Sequence, residues 1–320
     1  MLLIPYRWDN SDSVWSPFNA ANATFDLNSG EWLRLFLLIF CVLYLNNNTE
    51  NNSLTNGFYC PNERNRFSIG AAIAKELSEL GAQLILVGRN QDKLETVKQN
   101  LSGQHDVLAA DISSSEGRQA IKEHCEQRAG GIDILINNAG ISAFTGFETM
   151  SEEKISSVIH INLTSTILLT QQLLPLLKAK PSAQIVNIGS AFASLAFAGF
   201  TVYSASKYGL KGFTEALRRE LHGGTVDVRY FAPRGTDTPF NDENTQALNV
   251  AIKANIDTPE KVATEFADFL QSSKARHFVG WQERLFGRLN GLFPGLIDKA
   301  LAGQHQAIMD CLPQADNDKG

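Results

Sequence analysis

Tyr203-Ser204-Ala205-Ser206-Lys207 sits between Gly199-Phe200-Thr201-Val202 and Tyr208-Gly209-Leu210. If this segment is a helix, residues four apart share a face, so the Tyr203 phenol and the Lys207 ammonium project the same way. A fixed positive charge beside a phenol stabilises the phenolate, which is expected to bring the pKa down from about 10 toward the neutral range. A tyrosine so placed can both give and take a proton. Taken alone, Tyr-x-x-x-Lys is more often a surface pair one turn apart. The neighbouring residues therefore decide its meaning.

Thirteen positions earlier, Ser190 ends the run Ala183-Gln184-Ile185-Val186-Asn187-Ile188-Gly189, whose continuous apolar character reads as a buried parallel strand. The C-terminal edge of such a strand is where open α/β sheets bind ligands. Further upstream, Asp133-Ile134-Leu135-Ile136 runs into Asn137-Asn138-Ala139-Gly140, and Asn162 lies inside a long helical pattern over residues 151–180. In the order and spacing of these four motifs the chain resembles the short-chain dehydrogenase/reductase family over about residues 68–280. The resemblance implies an α/β fold with one Rossmann-like, doubly wound parallel sheet flanked by helices. It also implies a catalytic tetrad of Asn162, Ser190, Tyr203 and Lys207. In that reading Ser190 orients a carbonyl and Tyr203 protonates the nascent alkoxide. Lys207 lowers the tyrosine pKa and holds the nicotinamide ribose, and Asn162 completes the proton path. The implied reaction is hydride transfer between NADP(H) and a ketone or aldehyde, or the reverse oxidation of an alcohol.

The cofactor-binding residues follow from the same resemblance. Of the family's Thr-Gly-x-x-x-Gly-x-Gly turn only the tail, Ser68-Ile69-Gly70, is recognisable; Ser68 stands at the middle glycine, Arg64 at the first and Glu63 at the threonine. Side chains at those positions obstruct a tight turn and close approach to a pyrophosphate. An inactive relative that keeps the tetrad but cannot seat the cofactor is therefore the competing reading. Arg89 follows the predicted strand 83–87 with no acid at position 88, which favours NADP over NAD by charge complementarity. A solvated arginine opening a helix has the same appearance. Asp111 matches the position that contacts adenine, although an aspartate capping the next helix looks identical. Asn138, Ala139 and Gly140 would lie along the cofactor, with Asn137 bracing the sheet, and Tyr203 and Lys207 would also touch it. Thr236 would meet the nicotinamide amide through its backbone, and Thr238 the pyrophosphate. Arg234 departs from the family's Pro-Gly pair, and residues 239–256 would form a mobile lid.

The rest of the chain sets bounds. With 320 residues, a net charge of −6 and 43% hydrophobic residues, it has the composition of an ordinary globular protein and not of a nucleic-acid binder. Four cysteines and six histidines show no metal-like spacing, which predicts no metal site and a reducing, cytoplasmic setting. Residues 1–67 form an atypical leading segment that holds the uncharged apolar run 35–45. That run reads as the missing central strand, as a short membrane anchor within residues 32–45 with 57–60 as a substitute strand, or as part of a segment foreign to the native product. The aromatic stretch 191–200 suggests an apolar substrate pocket or a homo-oligomer interface. Residues 281–302 interleave apolar residues with Arg284, Arg288 and Lys299, as expected of a helix packed on its own domain, on a membrane surface or on a second subunit. Residues 303–320 read as a frayed polar tail.

Overall fold

The computed structural model describes the backbone of residues 36–40 and, in full, residues 68–128 and 130–313. Readings that fall on residues 1–35, 41–67 and 314–320, including those of positions 63 and 64, lie outside the described residues. The strands are β1 (Phe36–Phe40), β2 (Gln83–Gly88), β3 (Asp106–Ala109), β4 (Ile134–Asn137), β5 (Ala183–Ile188), β6 (Val226–Ala232) and β7 (Arg276–Phe278). They form one sheet in the order β3-β2-β1-β4-β5-β6-β7, with every pairing parallel.

β1 lies between β2 and β4, with Leu37 opposite both Leu84 and Ile134. For residues 36–40, the first of the three readings of the apolar run is thus the one that the fold realises. A strand at this position has helices over both faces, which is why its sequence is uniformly apolar and not alternating.

The helices are α1 (Ile69–Glu79), α2 (Gln91–Gln99), α3 (Ser115–Gln127), α4 (Glu152–Ile159), α5 (Ser165–Lys178), α6 (Thr201–Glu220), α7 (Glu243–Ala251), α8 (Pro259–Gln271), α9 (Trp281–Leu292), α10 (Pro294–Ala302) and α11 (His305–Cys311). Because side chains alternate along a strand, β2, β4, β5 and β6 each feed two cores. Leu84, Leu86, Ile134, Ile136, Val186 and Phe231 pack against Ile73 and Leu77 of α1 and Phe266 and Phe269 of α8. Ile85, Val87, Leu135, Ile185 and Val228 pack against Ile121 of α3, Leu169 and Leu173 of α5 and Leu217 of α6. This is a doubly wound α/β fold, with its topological switch between β1 and β4.

Three details differ from the sequence reading: the cap of α3, the stretch 281–302 and the tail. β3 ends at Ala109, and Asp111 lies in a turn where its Oδ1 accepts from the Ser113 N–H at 2.8 Å and the Ser113 hydroxyl at 2.7 Å. Ser114, not Asp111, caps α3. The stretch 281–302 is two helices, broken where Pro294 begins a new one. The expectation of a frayed tail fails for residues 305–311: they form α11, whose Ile308 is buried beside Phe144 and Leu248. Only Ile308 of this short helix is buried, so one apolar anchor was too weak a periodic signal to predict it.

Candidate active site

The C-terminal ends of β4 and β5 and the first turns of α6 converge beside the switch point. Gly189 leads out of β5 against Tyr230, whose hydroxyl would lie 1.9 Å from a β-carbon at that position. Only glycine lets the chain pass there and deliver Ser190 to the edge of the sheet. The Ser190 hydroxyl accepts from the Phe192 N–H at 3.1 Å, which fixes its direction, and is also hydrogen-bonded to Tyr203. Tyr203 and Lys207 are one turn apart on α6 and both buried, at 7% and 4% exposure. The Lys207 Nζ donates to the Ile188 carbonyl at 3.1 Å and stands 5.8 Å from the centre of the Tyr203 ring.

The electrostatics correct one expectation. Burial drives the Tyr203 pKa up to about 12, with only partial relief from the Ser190 hydrogen bond, instead of the lowering expected from Lys207. Burial likewise brings Lys207 down to about 8. Proximity in sequence predicts the Coulomb attraction between the pair but not the loss of water around both, and here desolvation wins. The phenol is therefore held protonated at neutral pH, as a loaded acid.

Asn162 is fully buried and lies within a π-helical turn, His160–Thr164, between α4 and α5. Its Oδ1 accepts from the Ile141 N–H at 2.8 Å, and its amide donates to the Ile141 carbonyl at 3.0 Å and to the Ser206 hydroxyl at 3.1 Å. A β-carbon on Gly140 would lie 3.3 Å from that Oδ1 and 3.6 Å from the Lys207 Nζ, so amide and ammonium approach each other across this glycine. Asn137 instead braces the sheet, donating to Thr170 at 3.0 Å and to Asn187 at 2.8 Å.

A cavity of about 790 Å³ opens from these residues. Of the residues predicted for the site, Ser68, Ile69, Asn138, Gly140, Ser190, Tyr203, Lys207, Thr236 and Thr238 line it. Asn162 stands behind them. Gly70 and Ala139 are buried next to lining residues, while Arg89 and Asp111 border a separate small recess together with Gly88 and Ile141. The sequence reading missed Lys93 in the first turn of α2, which reaches the main cavity. Burial and the charge of Arg89 hold its ammonium below the ordinary lysine range. The wall around Tyr203 is apolar: Phe192, Phe197, Phe200, Phe240, Leu248 and Leu301 meet there, and α7 covers one side. Arg234, the departure from Pro-Gly, grips Asp257 through two hydrogen bonds of 2.7 and 2.8 Å and reaches Glu283 of α9 at 3.5 Å. It thereby ties the C-terminal extension to the rim.

The fit to a dinucleotide is tested by the described residues around the switch point. α1 points its N-terminus toward the cavity, a ready site for anionic groups. Gly140 keeps the floor free of side chain, and Thr236 and Thr238 stand opposite. These features suit a nicotinamide dinucleotide; positions 63 and 64 of the glycine turn lie outside the described residues, and Ser68, at the middle glycine position, turns its hydroxyl to cap α1, accepting from the Ala71 N–H at 3.2 Å.

Comparison with known proteins gives the same answer. The chain is 31% identical over 217 residues to the 3-oxoacyl-[acyl-carrier-protein] reductase FabG of Vibrio cholerae, covering 66% of this chain and 88% of that protein. It is 32% identical to nodulation protein G of a Rhizobium species, with the same coverage of 66% and 88%. Among solved structures, a metagenomic short-chain oxidoreductase in complex with NADP superposes with a TM-score of 0.60 at 24% identity, over 78% of this chain and 97% of that one. The pattern described as short chain dehydrogenase matches residues 67–249, the span that carries every tetrad residue, and the chain belongs to that family of oxidoreductases.

Proposed function

We propose that the protein interconverts an apolar ketone or aldehyde and its alcohol, using NADP(H) in preference to NAD(H). The observation that carries the reading is the convergence of Ser190, Tyr203 and Lys207 on a cavity whose wall beside Tyr203 is aromatic and aliphatic. A small polar substrate would leave that wall unused.

The nicotinamide group, when bound, supplies the hydride. Ser190 donates a hydrogen bond to the carbonyl oxygen and polarises it. Tyr203 gives its phenolic proton to the same oxygen as it gains negative charge. Lys207 lies behind the phenol, where its charge stabilises the phenolate left by the transfer and where it would hold the ribose. Asn162 keeps Ile141 and Ser206 in place around it. Asn138, Ala139 and Gly140 would run along the cofactor, Ser68, Ile69 and Gly70 would meet its pyrophosphate with Thr238, and Thr236 would hold the amide. Asp111 would border the adenine. We place the reaction in a reducing, cytoplasmic setting, in keeping with Cys125 and Cys311, which are both free thiols.

The NADP preference rests on Arg89 and Lys93, which stand close enough that the Arg89 charge helps to hold the Lys93 ammonium below its ordinary range, and on the absence of an acid at position 88. Arg89→Ala should raise the NADPH KM on the order of ten- to a hundredfold, the value of a charge-assisted hydrogen bond, with little change for NADH. Equal effects on both cofactors would refute the assignment. Ser190→Ala should lower kcat on the order of a hundredfold by removing the donor to the carbonyl oxygen. A steady-state assay of aliphatic and aromatic carbonyl compounds with NADPH measures both, and unchanged kcat would remove Ser190 from the mechanism.

A further inference from the structure

The C-terminal extension turns its apolar side chains outward. Trp281, Leu285 and Phe286 on α9 are 64%, 45% and 44% exposed, and Leu292, Phe293 and Leu296 at the break between α9 and α10 are 71%, 59% and 58% exposed. Residues 281, 285 and 292 share one stripe of α9, so the exposure is continuous along the helix and not scattered. α9 buries no residue and α10 only Ile297. An apolar surface of this extent, presented by two adjacent helices, marks a contact site.

Its charges identify the partner. Arg284, Arg288 and Lys299 are exposed on these two helices. Of the two acids there, Glu283 faces inward to Arg234, which leaves Asp298 as the outward one. A basic face on a chain with a net charge of −6 is a local reversal of sign. In a twofold contact the same patch would meet itself and bring like charges together. Anionic headgroups complement them, and the apolar residues between suit the acyl boundary.

We propose that α9 and α10 dock the protein on an anionic lipid bilayer. Phe286 belongs both to this face and to the cavity wall, and Ala300 and Leu301 of α10 also line the cavity, so its mouth opens next to the docked surface. An apolar substrate could then enter from lipid. That consequence rests on the oxidoreductase reading, whereas the docking does not.

The test is sedimentation of the full chain with vesicles of phosphatidylcholine, with and without phosphatidylglycerol, together with quenching of Trp281 by iodide. The Trp281 signal is taken as the difference between wild type and Trp281→Phe. The expected result is binding to the anionic vesicles that weakens with salt and shields Trp281. The doubly substituted Arg284→Glu, Arg288→Glu chain should bind at least about tenfold more weakly, as should Leu292→Ala, Phe293→Ala, with unchanged circular dichroism and melting. Four results would overturn the proposal: no binding to either vesicle; binding that survives both double variants; Trp281 already shielded in the lipid-free monomer, meaning that the chain covers its own face; or concentration-dependent self-association abolished by Leu292→Ala, Phe293→Ala without vesicle binding. None of these readouts needs turnover, so a failure of the proposed reaction would be seen separately.

Discussion

Tyr203→Phe is expected to lower NADPH-dependent carbonyl reduction by about 10³-fold while leaving the fold intact, since the proton donor is lost and the ring is kept. The ring packs against Phe192, Phe200 and Phe240 at centroid distances of 6.2, 6.1 and 6.2 Å, and phenylalanine preserves those contacts. Only the hydrogen bond to Ser190 disappears. Wild-type melting with abolished turnover is therefore the expected pair of observations, and unchanged turnover would end the assignment. The raised phenol adds a directional expectation for the wild type. With its pKa near 12, Tyr203 is protonated throughout the neutral range, so reduction starts from an acid that already holds its proton. Alcohol oxidation needs the phenolate as base, and its rate should climb with pH well into the alkaline range. Rates measured in both directions against pH test this, and an oxidation rate flat above neutrality would contradict it.

Lys207→Met should reduce turnover by on the order of a hundredfold, because the positive charge behind the phenolate is removed. Its effect on stability has the opposite sign at neutral pH. The folded chain holds Lys207 at about 8 against 10.5 for the free side chain, because burial disfavours the ammonium. Below about pH 8 the lysine is charged in both states, and the folded one bears the full penalty, amounting to a few kcal/mol. Between about pH 8 and the unfolded value, the unfolded chain binds more protons, so wild-type stability rises with pH. The Tyr203 phenol acts oppositely, but only above its unfolded value near 10. The buried Cys125 thiol, pushed up to about 12, lowers both proteins alike above about pH 9, so the denaturant midpoint of the apo wild type minus that of Lys207→Met should rise from pH 8 toward 10. The variant should also be the more stable protein at pH 7. A parallel rise in both proteins would show that another group is responsible.

Much of this architecture was legible because it is written in short, strongly patterned segments. The runs ending at Asn137 and Ser190 are mostly apolar because their strands are covered on both faces, and the tyrosine and lysine spaced by four could only meet on a helix. The central strand was harder to read. Phe36–Phe40 is as apolar as a membrane segment, and pattern alone does not separate the two uses; its neighbours Leu84 and Ile134 settle it. The sign of the Tyr203 shift was illegible for a different reason. It depends on how much water the completed fold removes, which no local pattern records. α11 escaped notice because Ile308 anchors it through contacts with residues more than a hundred positions away, such as Phe144. Lys93 was missed because only the placement of α2 brings it to the cavity.

The π-helical turn at residues 160–164 sets two demands on the chain against each other. Such a turn carries one residue more than a regular helix accommodates. Trimming it would knit α4 and α5 into a straighter, better-bonded rod, yet would rotate Asn162 by roughly a quarter-turn, away from Ile141 and Ser206. A straighter helix would thus give up the three hydrogen bonds that hold the Asn162 amide against Ile141 and Ser206, so the irregularity and the placement of that amide come together.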